Sequence, residues 1–271
     1  MTYLQDQKPI TLHELGRMRG EGRRIVMLTC YDASFAMLCG RAGVDVVLVG
    51  DSLGNVVQGR TTTLPVTIEH MVYHTECVAR AGAPSFVVAD MPFGSYQESR
   101  EQAMRNAARL LAAGAQMVKL EGGAIMADTV RFLVERGVPV CAHVGLMPQS
   151  VHQLGGYRVQ GRGDEGAARL AADVRALEEA GAALTVIELV PSSVARALTA
   201  VTTTTATIGI GAGPDCHGQV LVLYDMLGIF PGKMARFVRN FMGGGAGVED
   251  AIRRYVAAVR DGTFPAAEHC Y

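Results

Sequence analysis

Eight short runs of apolar and β-branched residues constrain the fold of this chain more than any other feature. Their starts are commonly separated by roughly 30 residues, the length of one βα unit. Polar and apolar residues do not alternate within them, which is typical of parallel strands buried on both faces. We predict strands at residues 25–29, 45–50, 85–90, 116–121, 138–143, 183–188, 205–211 and 219–224.

Helical patterns fill most of the intervals between these strands, and several of them end in glycine, a common helix stop. We predict helices at residues 33–43, 68–82, 99–114, 124–137 and 165–181. The length of 271 residues is close to the roughly 250 residues of a typical (β/α)8 barrel. The pattern therefore favours an α/β fold of the closed TIM-barrel type over an open doubly wound sheet.

The domain organisation predicted from this pattern is simple. We expect residues 1–271 to form a single barrel domain, because a chain of this length can close one large core. A helix at residues 11–19 precedes the first strand, and a helical tail begins at Lys233.

Charge and composition exclude several classes of partner. Lys plus Arg (25) nearly balances Asp plus Glu (26), and the scattered basic residues offer no positive face to nucleic acid. No apolar run approaches the roughly 18 residues that span a bilayer, and residues 1–9 lack a secretory signal. The six cysteines form no Cys-x-x-Cys pair, so we expect reduced thiols and a cytoplasmic location. Together these features predict a soluble protein that binds neither nucleic acid nor membrane.

Ionisable residues close five of the predicted strands, at the end of a barrel where active sites form. These residues are Asp51, Asp90, Glu121, His143 and Glu188. Three carboxylates around one mouth repel each other unless a cation lies between them, and their oxygens suit Mg²⁺ or another hard divalent ion. The set predicts a metal site, although each acid alone could be a helix cap or a solvated loop charge.

The metal assignment is strongest for Asp51 and Asp90, which follow wholly apolar runs where an unpaired charge is costly. Lys119 lies two residues before Glu121 on the same strand face, so a plain ion pair is an alternative to metal binding by Glu121.

Glu188 is the candidate general base, because an acid that follows an apolar run has a raised pKa suited to proton abstraction. A structural acid at the barrel rim is the alternative. His143 either donates a hydrogen bond to a substrate oxygen or satisfies a buried amide.

Several long motifs run in order through nearly the whole chain. They are Met27-Leu-Thr-Cys-Tyr-Asp, Gly50-Asp-Ser-Leu-Gly, Val88-Ala-Asp-Met-Pro-Phe, Val118-Lys-Leu-Glu-Gly-Gly, His143-Val-Gly-Leu, Gly209-Ile-Gly-Ala-Gly and Phe264-Pro-Ala-Ala-Glu-His. Together they resemble the ketopantoate hydroxymethyltransferase family. The resemblance implies a barrel of the phosphoenolpyruvate-mutase and isocitrate-lyase kind, in agreement with the strand pattern.

The resemblance also implies a reaction. A hydroxymethyl group would pass from 5,10-methylenetetrahydrofolate, the co-substrate, to 3-methyl-2-oxobutanoate (2-oxoisovalerate), giving ketopantoate for pantothenate biosynthesis. Ser52 and Lys119 would hold the keto acid, with His143 close to it. The family forms decamers built from dimers, so a homo-oligomer is expected.

The same resemblance assigns roles to the acids. Asp51 and Asp90 would bind Mg²⁺ and through it the keto acid, and Glu121 would contribute directly or through water. Glu188 would be the base that removes the proton from C3 of the keto acid. Metal chelation by the substrate would stabilise the negative charge that develops.

The chain departs from the family pattern at four positions. Met147 stands where threonine is usual, Leu189 where cysteine is usual, and Asp215 and His217 where a small residue and aspartate are usual. We expect the two changes in the loop after the seventh strand to alter contacts with the folate.

Two rival interpretations remain at this stage. One is a lyase or mutase of the related barrels, but these generally carry a Lys-Lys-Cys-Gly-His motif that the sequence lacks. The other is a barrel that binds a metabolite without catalysis, which the presence of every expected acid argues against.

Overall fold

The computed structural model describes residues 8–271 and contains a closed barrel of eight parallel strands. Most of the amino-terminal segment that is predicted to lack an export signal lies outside the described residues. The strands are β1 (Ile25–Thr29), β2 (Val46–Val49), β3 (Phe86–Asp90), β4 (Met117–Glu121), β5 (Val140–Gly145), β6 (Leu184–Glu188), β7 (Ala206–Ile210) and β8 (Gly218–Leu221). Each strand pairs with the next in sequence and β8 closes on β1, so the predicted barrel is confirmed.

Helices surround this barrel in the described part of the chain. They are α1 (Leu12–Gly20), α2 (Ala33–Ala42), α3 (Leu53–Val56), α4 (Ile68–Ala79), α5 (Arg100–Ala112), α6 (Ala127–Val134), α7 (Gly163–Glu179), α8 (Ser192–Val201), α9 (Leu223–Met226) and α10 (Val248–Asp261). Between residues 8 and 271, no helix has both the length and the apolar character needed to cross a membrane.

Two apolar layers explain why the strands read as continuously hydrophobic. Alternate residues point into the barrel or outward to the helices, so both faces of each strand are buried. Met27 and Val88 belong to the inner layer, and Val26 and Ala89 to the outer layer. Leu15 and Met18 of α1 join the inner layer, so α1 closes the amino end of the barrel.

The structure differs from the predicted elements in three places. β8 ends at Leu221, and the following residues turn into α9 because Thr29 Oγ1 accepts the Leu223 N–H at 2.9 Å. The helix predicted at 124–137 begins as a 3₁₀ turn, Ala124–Met126, before α6. The helical tail predicted to begin at Lys233 begins only at Val248 with α10, and residues 233–247 form turns and irregular segments because the last five of them are mainly glycine.

The threonine run before β7 binds a carboxylate of α7. Glu178 Oε1 accepts the backbone N–H groups of Thr203 at 2.7 Å, Thr204 at 2.6 Å and Thr205 at 3.0 Å. Partial burial alone would raise the Glu178 pKa, but these bonds outweigh it and hold the pKa below its ordinary value of 4.5. The run therefore joins the end of α7 to the start of β7.

We expect Glu178→Gln to lower the free energy of unfolding at pH 7 by about 1 to 2 kcal/mol, because a neutral amide is a weaker acceptor. Since folding lowers the Glu178 pKa, the carboxylate stabilises the protein above its unfolded pKa, and this contribution is lost as pH falls through the folded pKa. Urea denaturation at pH 7 and in acid measures the difference. The exposed neighbour Glu179 supplies the control, Glu179→Gln, and a difference for Glu178→Gln that does not shrink in acid would contradict the assignment.

Candidate active site

The carboxyl ends of the strands open into a cavity of about 620 Å³. Its lining contains all of the site residues predicted from sequence: Asp51, Ser52, Asp90, Lys119, Glu121, His143 and Glu188. Closure of the barrel brings these residues together, although they are spread over five strands of the chain. Their predicted convergence at one mouth is confirmed.

Asp90 and Lys119 form a buried ion pair on neighbouring strands. Lys119 Nζ donates to Asp90 Oδ1 at 2.8 Å, and the two side chains are only 5% and 3% exposed. Burial alone would lower the pKa of Lys119, but the surrounding carboxylates, Asp90 first among them, raise it above its usual value. Lys119 is therefore charged, and its direct partner is Asp90, not Glu121 as the ion-pair alternative proposed.

Asp51 lies beside this pair, and its carboxylate is repelled by the carboxylates of Asp90 and Glu121. Asp90 Oδ2 accepts the Asp51 backbone N–H at 2.9 Å. Burial, with added repulsion from Asp90 and Glu121, raises the pKa of Asp51 to about 7. The register of the barrel thus places three carboxylates in one buried cluster.

His143 lies between two acids. Its Nδ1 is 3.4 Å from Glu121 Oε1, and its Nε2 is 3.2 Å from Glu188 Oε2. Burial and the charge of Lys119 act to lower the His143 pKa, but Glu121 and Glu188 outweigh them and raise it to about 9. In this structure His143 links two carboxylates, a role that neither sequence-based alternative included.

The cluster fits a divalent cation by its charge and its donors. Four carboxylates share Lys119 and His143 as cations, so negative charge is in excess. The contact of buried Glu121 Oε1 with His143 is an ion pair without hydrogen-bond geometry, so within residues 8–271 this oxygen still lacks a hydrogen bond. Across those same residues, no three His, Cys, Asp or Glu side chains form a complete metal-ligand set. Mg²⁺ commonly binds through one or two carboxylates and fills its other positions with water and substrate, so an open site suits it.

The backbone around Glu188 is strained and tightly packed. Leu189 has a φ of 51° and is the single non-glycine residue with positive φ in the described chain, a conformation that costs about 1 to 2 kcal/mol. A Cβ atom at Gly145 would overlap the Glu188 carbonyl oxygen. Such strain concentrates at functional sites, and here it fixes the turn that follows the candidate base.

Gln149 is a site residue that the sequence analysis missed. Its Nε2 donates to Asp51 Oδ2 and to Met91 O, each at 3.0 Å, and its backbone N–H donates to Glu121 Oε2 at 3.0 Å. Its Oε1 accepts from the Tyr96 hydroxyl at 2.6 Å. Gln149 therefore holds two acids in place, and its position in a loop after β5 was the one available signal.

Three of the four departures from the family pattern lie outside the cavity lining. Asp215 pairs with Arg196 at 3.0 Å. His217 Nδ1 accepts the Thr207 N–H at 3.1 Å beside the start of β8, at the amino end of the barrel. Asp215 and His217 thus lie away from the cavity, because the loop runs back to the opposite end of the barrel. Met147 is half-buried beside Pro148, and Leu189 lines the cavity.

Solved structures define the class of this barrel. It matches a putative phosphonomutase from Burkholderia cenocepacia J2315 with a TM-score of 0.61 at 20% identity, over 80% of this chain and 95% of that chain. It matches phosphonopyruvate hydrolase, solved with oxalate and Mg²⁺, with a TM-score of 0.60 at 14% identity, over 96% and 93% of the two chains. A third match, 2,3-dimethylmalate lyase, is described as a member of the PEP mutase/isocitrate lyase superfamily (TM-score 0.56, 18% identity, over 78% and 80%). This chain has the same α/β barrel fold as these proteins.

Sequence relatives define the family. A family model described as ketopantoate hydroxymethyltransferase matches residues 9–267. Proteins named 3-methyl-2-oxobutanoate hydroxymethyltransferase from Azoarcus sp. (strain BH72) and Aromatoleum aromaticum are 73% and 70% identical, each over 100% of both chains. The chain belongs to the ketopantoate hydroxymethyltransferase family.

Proposed function

We propose that this protein is a 3-methyl-2-oxobutanoate hydroxymethyltransferase, which makes ketopantoate for pantothenate biosynthesis with 5,10-methylenetetrahydrofolate as the one-carbon donor. The observation that carries the proposal is a cavity with a buried lysine and an acid cluster on one side and Glu188 close by. Full-length identity of 73% to a relative with this name supports it.

Lys119 and Ser52 bind the keto acid in this proposal. The Lys119 ammonium, held by Asp90 and almost fully buried, offers a fixed positive charge to an anionic substrate. The Ser52 hydroxyl lies 2.9 Å from the Tyr31 hydroxyl. This hydrogen bond fixes the orientation of the Ser52 side chain in the cavity lining. Fixed polar groups of this kind reduce the entropy that binding must overcome.

Asp51 and Asp90 are the proposed Mg²⁺ ligands, with Glu121 contributing directly or through water. Bound Mg²⁺ would act as a Lewis acid toward the keto acid oxygens. Gln149 holds Asp51 and Glu121 at fixed positions for this role. A structure of the same fold, phosphonopyruvate hydrolase, was solved with Mg²⁺, which supports Mg²⁺ as the metal of this proposal.

Glu188 is the proposed general base. Its side chain is 15% exposed, more than the buried Asp51, Asp90 and Glu121, so it can reach a substrate in the cavity. Glu188 removes the C3 proton of the keto acid, and C3 bonds to the methylene carbon of the folate as one of the two C–N bonds of that carbon breaks. Water then attacks the same carbon, breaks the second C–N bond and becomes the hydroxyl of the product. Tetrahydrofolate leaves with one proton from C3, passed on by Glu188, and one from water.

A turnover assay tests the proposed function directly. The protein is incubated with both substrates, with Mg²⁺ or with EDTA, and ketopantoate is measured by mass spectrometry. We expect product only when Mg²⁺ and the folate are both present. Absence of product under all conditions would overturn the proposal, and folate-independent cleavage of a 2-hydroxy diacid would instead favour a lyase.

Substitution of Gln149 tests whether this residue positions the acids. Gln149→Leu removes donors to Asp51 and Met91, and we expect turnover to fall by roughly 10- to 100-fold, as for other residues that hold metal ligands. The Mg²⁺ concentration giving half-maximal rate should rise at the same time. Gln160→Leu, in the same loop, is the control, because the Gln160 side chain donates to the Arg158 carbonyl and not to an acid of the site. Unchanged metal dependence in Gln149→Leu would mean that Gln149 has only a structural role.

Assembly and location complete the proposal. We propose a homo-oligomer, a decamer by family resemblance, that acts in the cytoplasm on small molecules. Ile125 is 89% exposed and Tyr73 is 65% exposed, and large exposed apolar side chains are common at interfaces. The six unpaired cysteines fit a reducing compartment. Light scattering of the purified protein measures the oligomeric state.

A further inference from the structure

The cavity has a second part that the keto acid and its acid cluster do not use. This part is built after β8 and from the carboxyl terminus, and its polar and aromatic lining residues are Asp225, Phe230, Lys233, Phe237 and Tyr271. A small branched keto acid fills only a fraction of 620 Å³, a volume typical of sites for much larger ligands. The remaining space is therefore available to the second substrate.

Asp225 is the more buried of the two charged groups in this part of the cavity. It lies on α9, directly after β8, and its side chain is half-buried. Within residues 8–271 its carboxylate makes neither an ion pair nor a side-chain hydrogen bond under the usual distance limits. Burial, with no compensating cation, raises the Asp225 pKa to about 6. A half-buried carboxylate without a partner is costly unless a ligand supplies donors.

Asp225 is also connected to the keto acid side of the cavity. Its neighbour Tyr224 packs on Tyr31 with ring centroids 5.7 Å apart, and the Tyr31 hydroxyl contacts Ser52 at 2.9 Å. Burial raises the pKa of Tyr31, and the nearby charge of Asp225 adds to this effect. A ligand group held by Asp225 would consequently lie close to a substrate held by Ser52.

The charge of Asp225 selects among the possible ligands. A second keto acid is an anion and would be repelled. The pterin head of a folate carries a ring N–H next to an amino group, and these two donors match the two oxygens of one carboxylate. The flat faces of Phe230 and Phe237 suit the pterin and the ring beyond it, and the exposed Lys233 suits the glutamate tail.

We propose that Asp225 binds the pterin head of the folate co-substrate through paired hydrogen bonds, and that Lys233 binds its glutamate tail. This inference rests on the proposed function and extends it by naming the residue that recognises the one-carbon donor. Asp225 is thus a specificity-determining residue for the folate, whereas the keto acid depends on the acid cluster and Lys119.

Steady-state kinetics of Asp225→Asn test the inference. We expect the KM for 5,10-methylenetetrahydrofolate to rise by roughly 10- to 100-fold, the loss typical of a hydrogen bond to a charged group. The KM for the keto acid and the folate-free exchange of its C3 proton should stay within threefold of wild type. Asp215→Asn is the matched control, because Asp215 is also partly exposed but lies outside the cavity lining.

Direct binding separates the two contacts. Calorimetry with tetrahydrofolate and with tetrahydropterin, which lacks the tail, should show weaker binding of both ligands to Asp225→Asn. Lys233→Ala should weaken binding of tetrahydrofolate alone. Asp225→Ala, checked for folding by its C3 exchange rate, should behave as Asp225→Asn does.

The outcomes distinguish this inference from the proposed function. If the wild-type protein forms no ketopantoate, the proposed function fails. If the wild-type protein is active and Asp225→Asn keeps its folate KM and its affinity for tetrahydropterin, the inference about Asp225 is overturned while the function stands. A loss of C3 exchange in Asp225→Asn with unchanged folate affinity would also overturn it.

Discussion

Glu188→Gln is expected to reduce ketopantoate formation by a factor on the order of 10³ to 10⁴, the upper range for loss of a general base. The amide keeps the shape of the side chain but cannot accept the C3 proton. Exchange of that proton in D₂O, followed by NMR without folate, isolates the step that Glu188 performs. We expect the exchange to stop while the keto acid still binds.

Two further measurements make this result specific to Glu188. Glu179→Gln, at an exposed position of α7, should exchange the C3 proton as the wild type does. The thermal stability of Glu188→Gln should remain close to that of the wild type, because Glu188 is more exposed than Asp51, Asp90 and Glu121. Exchange at the wild-type rate in Glu188→Gln would assign the base to another residue.

Lys119→Met is expected to abolish turnover and also to destabilise the protein. Removing one partner of the buried Lys119–Asp90 pair leaves an uncompensated charge, which typically costs about 3 to 5 kcal/mol. Keto acid binding should be lost as well, because the cavity then contains carboxylates without the buried lysine. Urea denaturation without divalent metal measures the first effect, and calorimetry with the keto acid measures the second.

A double substitution separates stability from activity at this position. Lys119→Met with Asp90→Asn removes both charges of the pair and should recover much of the free energy of unfolding. Turnover should stay absent, because both the proposed metal ligand Asp90 and the lysine are gone. A stable but inactive double variant together with an unstable single variant fits the proposal, whereas a Lys119→Met protein of wild-type stability contradicts the ion-pair argument.

The barrel itself was predictable from the sequence for a physical reason. Buried parallel strands need apolar side chains on both faces, so each strand leaves a continuous apolar run, and β1 matches its predicted bounds. The end of β8 was not predictable, because Leu223 is as apolar as a strand residue. It turns into α9 through a hydrogen bond to Thr29, which is 194 residues away in sequence.

The acids of the candidate site were equally predictable, because ionised residues at the ends of apolar runs are costly unless they are paired or bind a metal. Which charged side chains pair with each other was not predictable. Lys119 faces Asp90 across the β3–β4 register, and this choice over Glu121 depends on the stagger between two strands. Gln149 left only its position in a loop after β5 as a signal, since its hydrogen bonds reach residues far along the chain.

The sequence by itself determined the closed barrel and the position of Asp51, Asp90 and Glu188 at the end of the barrel where the cavity lies, because burial and periodicity act locally along the chain. Tertiary structure alone decided how the charged side chains pair and placed His143 between Glu121 and Glu188. It also placed Asp225 in the lining of the same cavity. These features depend on distances between strands that only closure of the barrel sets.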